Sequence, residues 1–126
     1  MTSFNTKLYK GVGMSVVSKE NANHYVWGGK CDGWHLLASK DLSVIQECVP
    51  YGSSETRHHH NKAEQFFYVL SGIATLEVDG NIYTINPNEG LHVQAGVKHT
   101  LSNEHEQDLV FLVVSTPPSH GDRVDE

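Results

Sequence analysis

The dipeptide Asp79-Gly80, set between the runs IATLEV and IYTI, constrains this chain more than any other feature. Both positions tolerate the positive φ that a two-residue primed turn demands, so the segment predicts an antiparallel hairpin. Similar punctuation recurs on either side. QFFYVL at 65–70 ends in Ser71-Gly72, Pro87-Asn88-Glu89-Gly90 precedes LHV, and Ala95-Gly96 follows shortly after. These are turn residues for identifiable reasons, glycine and asparagine through φ and proline through its fixed ring.

The polar stretch EHEQD separates His99-Thr100-Leu101 from LVFLVV at 109–114, whose unbroken apolar character predicts a strand buried on both faces. SVVS at 15–18, HYVW, WHLLAS and LSVIQECV supply further predicted strands. With many short strands and no long amphipathic helix, the expected fold is all-β, an antiparallel barrel or sandwich. A chain of 126 residues, 38% hydrophobic, has material for one core and one domain. The tail from Thr116 to Glu126, with Pro117-Pro118 and a polar finish, is expected to lie over the surface or to be partly disordered.

Composition narrows the function classes. The net charge of −6, with Lys and Arg scattered, argues against nucleic acid or an anionic membrane as partner. No apolar run approaches the roughly 20 residues of a bilayer span, and MTSFNTKLYKGVG lacks the apolar core of a signal peptide, so a cytoplasmic location is expected. Cys31 and Cys48 match neither a CxxC motif nor a disulfide framework and are expected to be reduced packing residues.

Chemistry concentrates in the histidines. In an extended strand His58 and His60 face the same way and His59 the other, which suits two ligands on one ion. With His99 they make three imidazoles, a set that serves zinc, copper, iron and nickel and leaves coordination positions open to water or substrate. A polar solvated turn is the competing reading of HHH.

These residues resemble a known family, the cupins, whose fold is a double-stranded antiparallel β-helix or jelly roll. The resemblance covers residues 52–103. Gly52, five residues, His58-His59-His60 and the closing Gly72 follow the first cupin motif, and Gly96, His99 and Asn103 follow the second. The chain departs from the pattern at Asn88 and Gln94, where the family has glycine and proline, and at Gln65, where counting back from Gly72 calls for a glutamate. Glu64 is adjacent and has the right distance from His60, but a one-position shift turns a strand side chain to the opposite face, which favours Gln65 as the inward residue.

The resemblance implies a single cupin domain over 1–126, with N-terminal strands in 1–50. It implies one divalent transition metal, among Fe, Mn, Ni, Cu and Zn, held by His58, His60, His99 and Gln65. A shell of three histidines and one glutamine carries no negative charge, so it is expected to favour an anionic or enolisable oxygen ligand. The resemblance implies a dioxygenase acting on a small organic molecule, with a non-redox isomerase, epimerase or lyase, or a non-catalytic small-molecule binder, as alternatives. One fold hosts many activities.

Phe67, Trp34, Tyr51 and His92 are candidate pocket residues, the last as a supporting donor or acid-base group. Alternation from Gln65 points Phe67 and Val69 inward and leaves Phe66, Tyr68 and Leu70 as an apolar outward stripe, which predicts a homodimer or packing against N-terminal strands of the same chain. Trp27 to Trp34 and Pro117 to Arg123 are candidate covers of the barrel mouth. His24, His35, His105 and His120 have no ligand spacing.

Overall fold

The computed structural model describes residues 15–119 and 121–126, so His120 lies outside the described residues. The described chain is built from eleven strands: β1 (Asn23–Trp27), β2 (Cys31–Ala38), β3 (Ser43–Val49), β4 (His58–His60), β5 (Glu64–Ser71), β6 (Ala74–Val78), β7 (Asn81–Ile85), β8 (Gly90–Val93), β9 (His99–Ser102), β10 (Leu109–Thr116) and β11 (Arg123–Asp125). They form two sheets, one of six strands in the order β1-β2-β3-β10-β5-β8 and one of five in the order β11-β4-β9-β6-β7. Every pairing is antiparallel, and two such sheets face to face make a jelly roll. No helix among the described residues is long and apolar enough to cross a membrane.

The hairpin expected at Asp79-Gly80 joins β6 to β7, with φ of 50° and 89° at the two turn positions. Asn88, which replaces the glycine of the family pattern, has φ of 68°, a conformation that asparagine reaches more easily than other non-glycine residues. The departure therefore preserves the turn.

The core lies between the sheets. Phe67 and Val69 from β5, Ile45 and Val49 from β3, Phe111 and Val113 from β10, and Leu76 and Leu101 from the facing sheet form its cluster. Each is the buried phase of a period-two pattern. Cys31 is buried in this core without a disulfide partner, and Cys48 on β3 is likewise a free thiol.

Three sequence expectations change. SVVS at 15–18 is no strand, because Ser18 and Asn21 exchange backbone and side-chain hydrogen bonds in a turn that leads directly into β1. The strand at 109–114 is buried on its inner face and only half-buried on its outer one, the alternation of a strand with one face on the core. The tail is part of the barrel. Arg123, Val124 and Asp125 pair in register with His60, His59 and His58, and Asp122 Oδ2 accepts hydrogen bonds from Lys62 and Ala63 N–H at 2.9 and 2.8 Å.

Asn103 ties the polar loop before β10 to the end of β3. Its buried Nδ2 donates to Val49 O at 2.9 Å and Gln107 O at 2.8 Å, while its Oδ1 accepts from His105 N–H at 2.9 Å. Asn103→Ala strands two carbonyls and one amide, and the expected loss is about 3 kcal/mol in a denaturant unfolding experiment. An unchanged midpoint would show that the loop closes without it.

Candidate metal centre

The three histidines that the sequence separates by up to 41 positions converge because β4 and β9 are neighbours in the five-stranded sheet, with His58 paired directly to His99. Strand alternation puts His60 on the same inner face. Ring centroids lie 4.4 Å apart for His58–His99, 4.9 Å for His58–His60 and 5.9 Å for His60–His99. One ring nitrogen from each falls within 4.8 Å of the others, close enough to serve one ion. All three side chains are buried.

Two of the rings are fixed by their own chain. His58 Nδ1–H donates to Thr56 O at 2.7 Å and His99 Nδ1–H to Val97 O at 2.9 Å. A carbonyl can only accept, so each Nδ1 carries the proton and each Nε2 keeps its lone pair free, the tautomer that metal ligation needs. His99 Nε2 and His60 Nδ1 are buried with no hydrogen-bond partner. Burial pushes His58 and His60 down to about 4 and lowers His99 as well, so the cluster is neutral at physiological pH.

Gln65 and Glu64 separate cleanly. Gln65 is buried on the inner face of β5, its Nε2 donating to Ser115 Oγ at 3.0 Å and its Oε1 left without a partner. That bond fixes the amide so that the oxygen is the free atom. Glu64 is exposed on the outer face, where His92 Nε2 contacts its carboxylate at 2.7 Å.

A cavity of about 340 Å³ opens over the cluster, lined by His58, His60 and Gln65 and also by Phe67, Val113 and Ile45. Its size is at the small end for organic ligands. Trp34, Tyr51 and His92 are not part of it. Trp34 is on the outer face of β2 against His24, Tyr51 is 60% exposed in a turn, and His92 faces solvent beside Glu64. Strand phase turns Trp34 and His92 outward, and Tyr51 stands in a turn clear of the cavity. The two candidate covers both reach the cavity, through Trp27 on one side and Ser119, Gly121 and Arg123 on the other, although Gly28 to Lys30 form only a hairpin turn.

The cavity wall also holds groups that sequence reading did not single out: Tyr25, Glu47 and Glu55. Tyr25 O–H donates to Glu47 Oε2 at 2.7 Å, and Leu101 N–H donates to Glu55 Oε1 at 3.1 Å. Burial raises Glu47 to about 7 and Glu55 to about 8, and burial with the Glu47 charge holds the Tyr25 phenol above its usual range. A signal was present in LSVIQECV, where the inward phase Ser43, Ile45, Glu47, Val49 puts one carboxyl among buried positions. The four expected donors carry no charge of their own, and around them stand two carboxyls that burial holds toward the protonated form.

Comparison with known proteins agrees with this architecture. The family model described as "Cupin domain" matches residues 45–115. A protein of unestablished function from Methanocaldococcus jannaschii is 27% identical over 81 residues, 64% of this chain and 65% of its own length. The polyketide synthase CurC of Streptomyces cyaneus is 26% identical over 69 residues, 53% of this chain and 45% of its own. The chain thus spans less than two thirds of the length of these relatives. The polyketide cyclase RemF from Streptomyces resistomycificus is similar in fold, with a TM-score of 0.78 at 19% identity over 90% of this chain and 85% of its own. The family match covers more than half the residues and coincides with the strands that carry the histidine cluster, and the chain belongs to the cupins.

Proposed function

We propose that this cupin holds one divalent transition metal on His58, His60 and His99, with Gln65 Oε1 as a fourth donor, and acts on a small organic molecule carrying a carbonyl group. The observation that carries the reading is the pair of buried, partnerless acceptors, His99 Nε2 and Gln65 Oε1, beside two more imidazoles. Buried polar atoms are normally satisfied, and a cation satisfies all of these at once. When bound, the ion supplies Lewis acidity toward a carbonyl oxygen.

The rest of the chemistry falls to the chain. Phe67 walls the cavity with an aromatic face, and Glu47 and Glu55 titrate near neutrality, where a group can both take and return a proton. This favours isomerase, cyclase or lyase chemistry by proton transfer. The names of CurC and RemF place two similar proteins in polyketide chemistry, whose substrates are rich in carbonyl groups. A dioxygenase is the second reading, supported by an all-neutral donor set of three histidines and a glutamine that leaves positions open.

The outward stripe of β5 supports a homodimer. Phe66 and Leu70 are 41% and 39% exposed, and the described N-terminal strands β1 and β2 pair at the far side of the sheet beside β3 rather than covering β5. Phe66→Glu is expected to convert a dimer to a monomer in light scattering; a monomeric parent protein would refute the assignment.

Elemental analysis of the purified, reloaded protein beside His60→Ala is expected to find about one metal per chain in the first and under about a tenth in the second. Equal content in both would remove the metal from this site. Oxygen uptake with an enolisable substrate would turn the reading to the dioxygenase, whereas turnover without it supports proton transfer.

Protonation predicts how the metal-free protein responds to pH. The histidines, ordinarily near 6.5, stay neutral in the fold down to about 4, so the unfolded chain binds more protons in that window and stability rises with pH through it. Glu47 and Glu55, ordinarily near 4.5, keep protons in the fold up to about 7 and about 8, so stability falls as pH rises through those values. Above about 6.5 only the second effect operates. The urea midpoint of chelator-treated protein should therefore drop between pH 6.5 and 8.5, and a flat or rising midpoint would contradict the assignment.

A further inference from the structure

Tyr25, Gly33 and Glu47 stand side by side on three adjacent strands. Tyr25 on β1 pairs with Gly33 on β2, and Gly33 pairs with Glu47 on β3. A side chain at the middle position would separate the outer two. A Cβ built at Gly33 collides with the ring carbons and the hydroxyl of Tyr25, so the phenol lies across the bare backbone of β2 and places its O–H on Glu47 Oε2 at 2.7 Å. The one position of β2 without a side chain is the one this hydrogen bond crosses.

The carboxyl so held lines the cavity that His58, His60 and Gln65 also line, but from the six-stranded sheet, whereas the histidines come from the five-stranded one. One Glu47 oxygen is engaged by Tyr25, which leaves the other for a ligand. The charged and titratable groups near Glu47 are Tyr25, Cys31, Glu55 and Arg123. Arg123 is already committed, its Nε donating to Asp125 Oδ1 at 2.7 Å and its Nη2 to Thr56 O at 3.3 Å. Away from the metal, no free cationic side chain among the described lining residues pairs a substrate carboxylate, and Glu47 repels one whenever it is ionised to act as a base.

We propose that Glu47 is the proton acceptor of this site, held in place by Tyr25 as a positioning residue across Gly33, and that the substrate is an uncharged carbonyl compound with an acidic C–H beside the carbonyl. The assignment rests on the metal-dependent reading above. Glu47 takes the proton from the carbon, the C–H electron pair becomes the new C–C π bond, and the carbonyl π pair moves onto oxygen. Return of the same proton to a conjugated carbon completes an isomerisation, with no oxidant, reductant or second reactant. A raised Glu47 makes return of the proton easy near neutral pH.

The test uses zinc-loaded protein and acetylacetone, a neutral diketone that loses one proton as it becomes an enolate. Calorimetric titrations at pH 8 in two buffers of different ionisation enthalpy count the protons released to solvent, with zinc content measured in every sample. Glu47 is largely ionised at this pH before binding and is expected to take up the diketone's proton as the enolate charge forms beside it, so the parent releases less than Glu47→Gln, whose amide oxygen still accepts from Tyr25 and which is expected to release up to about one more proton per diketone bound. Tyr25→Phe removes a hydrogen bond that favours the carboxylate, so proton retention should begin at a higher pH while zinc content is unchanged. Gly33→Ala should reproduce the Tyr25→Phe shift. Equal release by the parent and Glu47→Gln, both holding zinc, would overturn the role of Glu47 and leave the metal reading standing. A parent protein that takes up no zinc would overturn both.

Discussion

Two hydrogen bonds of a histidine to a carbonyl two residues before it, His58 to Thr56 O and His99 to Val97 O, decide what this barrel can do. Each short contact fixes one ring's orientation and protonation at once, and each lies on a neighbouring strand of the same sheet. Without them His58 and His99 would lose the contacts that set their rings. Desolvation then holds the rings neutral, so the cluster is poised to accept a cation rather than a proton.

The C-terminal strand contributes to that poise. β11 pairs with β4 along all three histidines, and its outward neighbour His59 donates through Nδ1 to Glu126 Oε2 at 2.6 Å. Lys98 adds a 3.2 Å contact to the same carboxylate from the turn before β9. The edge strand that carries two of the three clustered histidines is thereby covered, and the last residues of the chain reach the cavity through Arg123.

Much of this was legible in the sequence because β structure writes itself with period two. Asp79-Gly80 identified its hairpin, the HxH spacing put His58 and His60 on one face, and the same alternation chose Gln65 over Glu64 as the inward residue. The Asn88 departure from the cupin pattern is harmless for a reason that only φ reveals. What alternation cannot supply is registry between strands distant in sequence. Trp34 and Tyr51 are aromatic and near the motif, yet one lies on the outer face and the other in an exposed turn. Tyr25 and Glu47 look like ordinary strand residues 22 positions apart until β2 brings them into line across a glycine. The tail looked like a loop because its three paired residues carry no apolar signal, and its pairing comes from the open edge of β4.

The proposed site requires three imidazoles and one amide oxygen to meet at a single ion. X-ray absorption at the metal edge of the reloaded protein reads that shell. Three imidazole ligands are expected, with the remaining shell from light oxygen donors, and the shell should change in Gln65→Leu while the three imidazoles persist. A spectrum with fewer than three imidazoles, or one indifferent to Gln65, would contradict it.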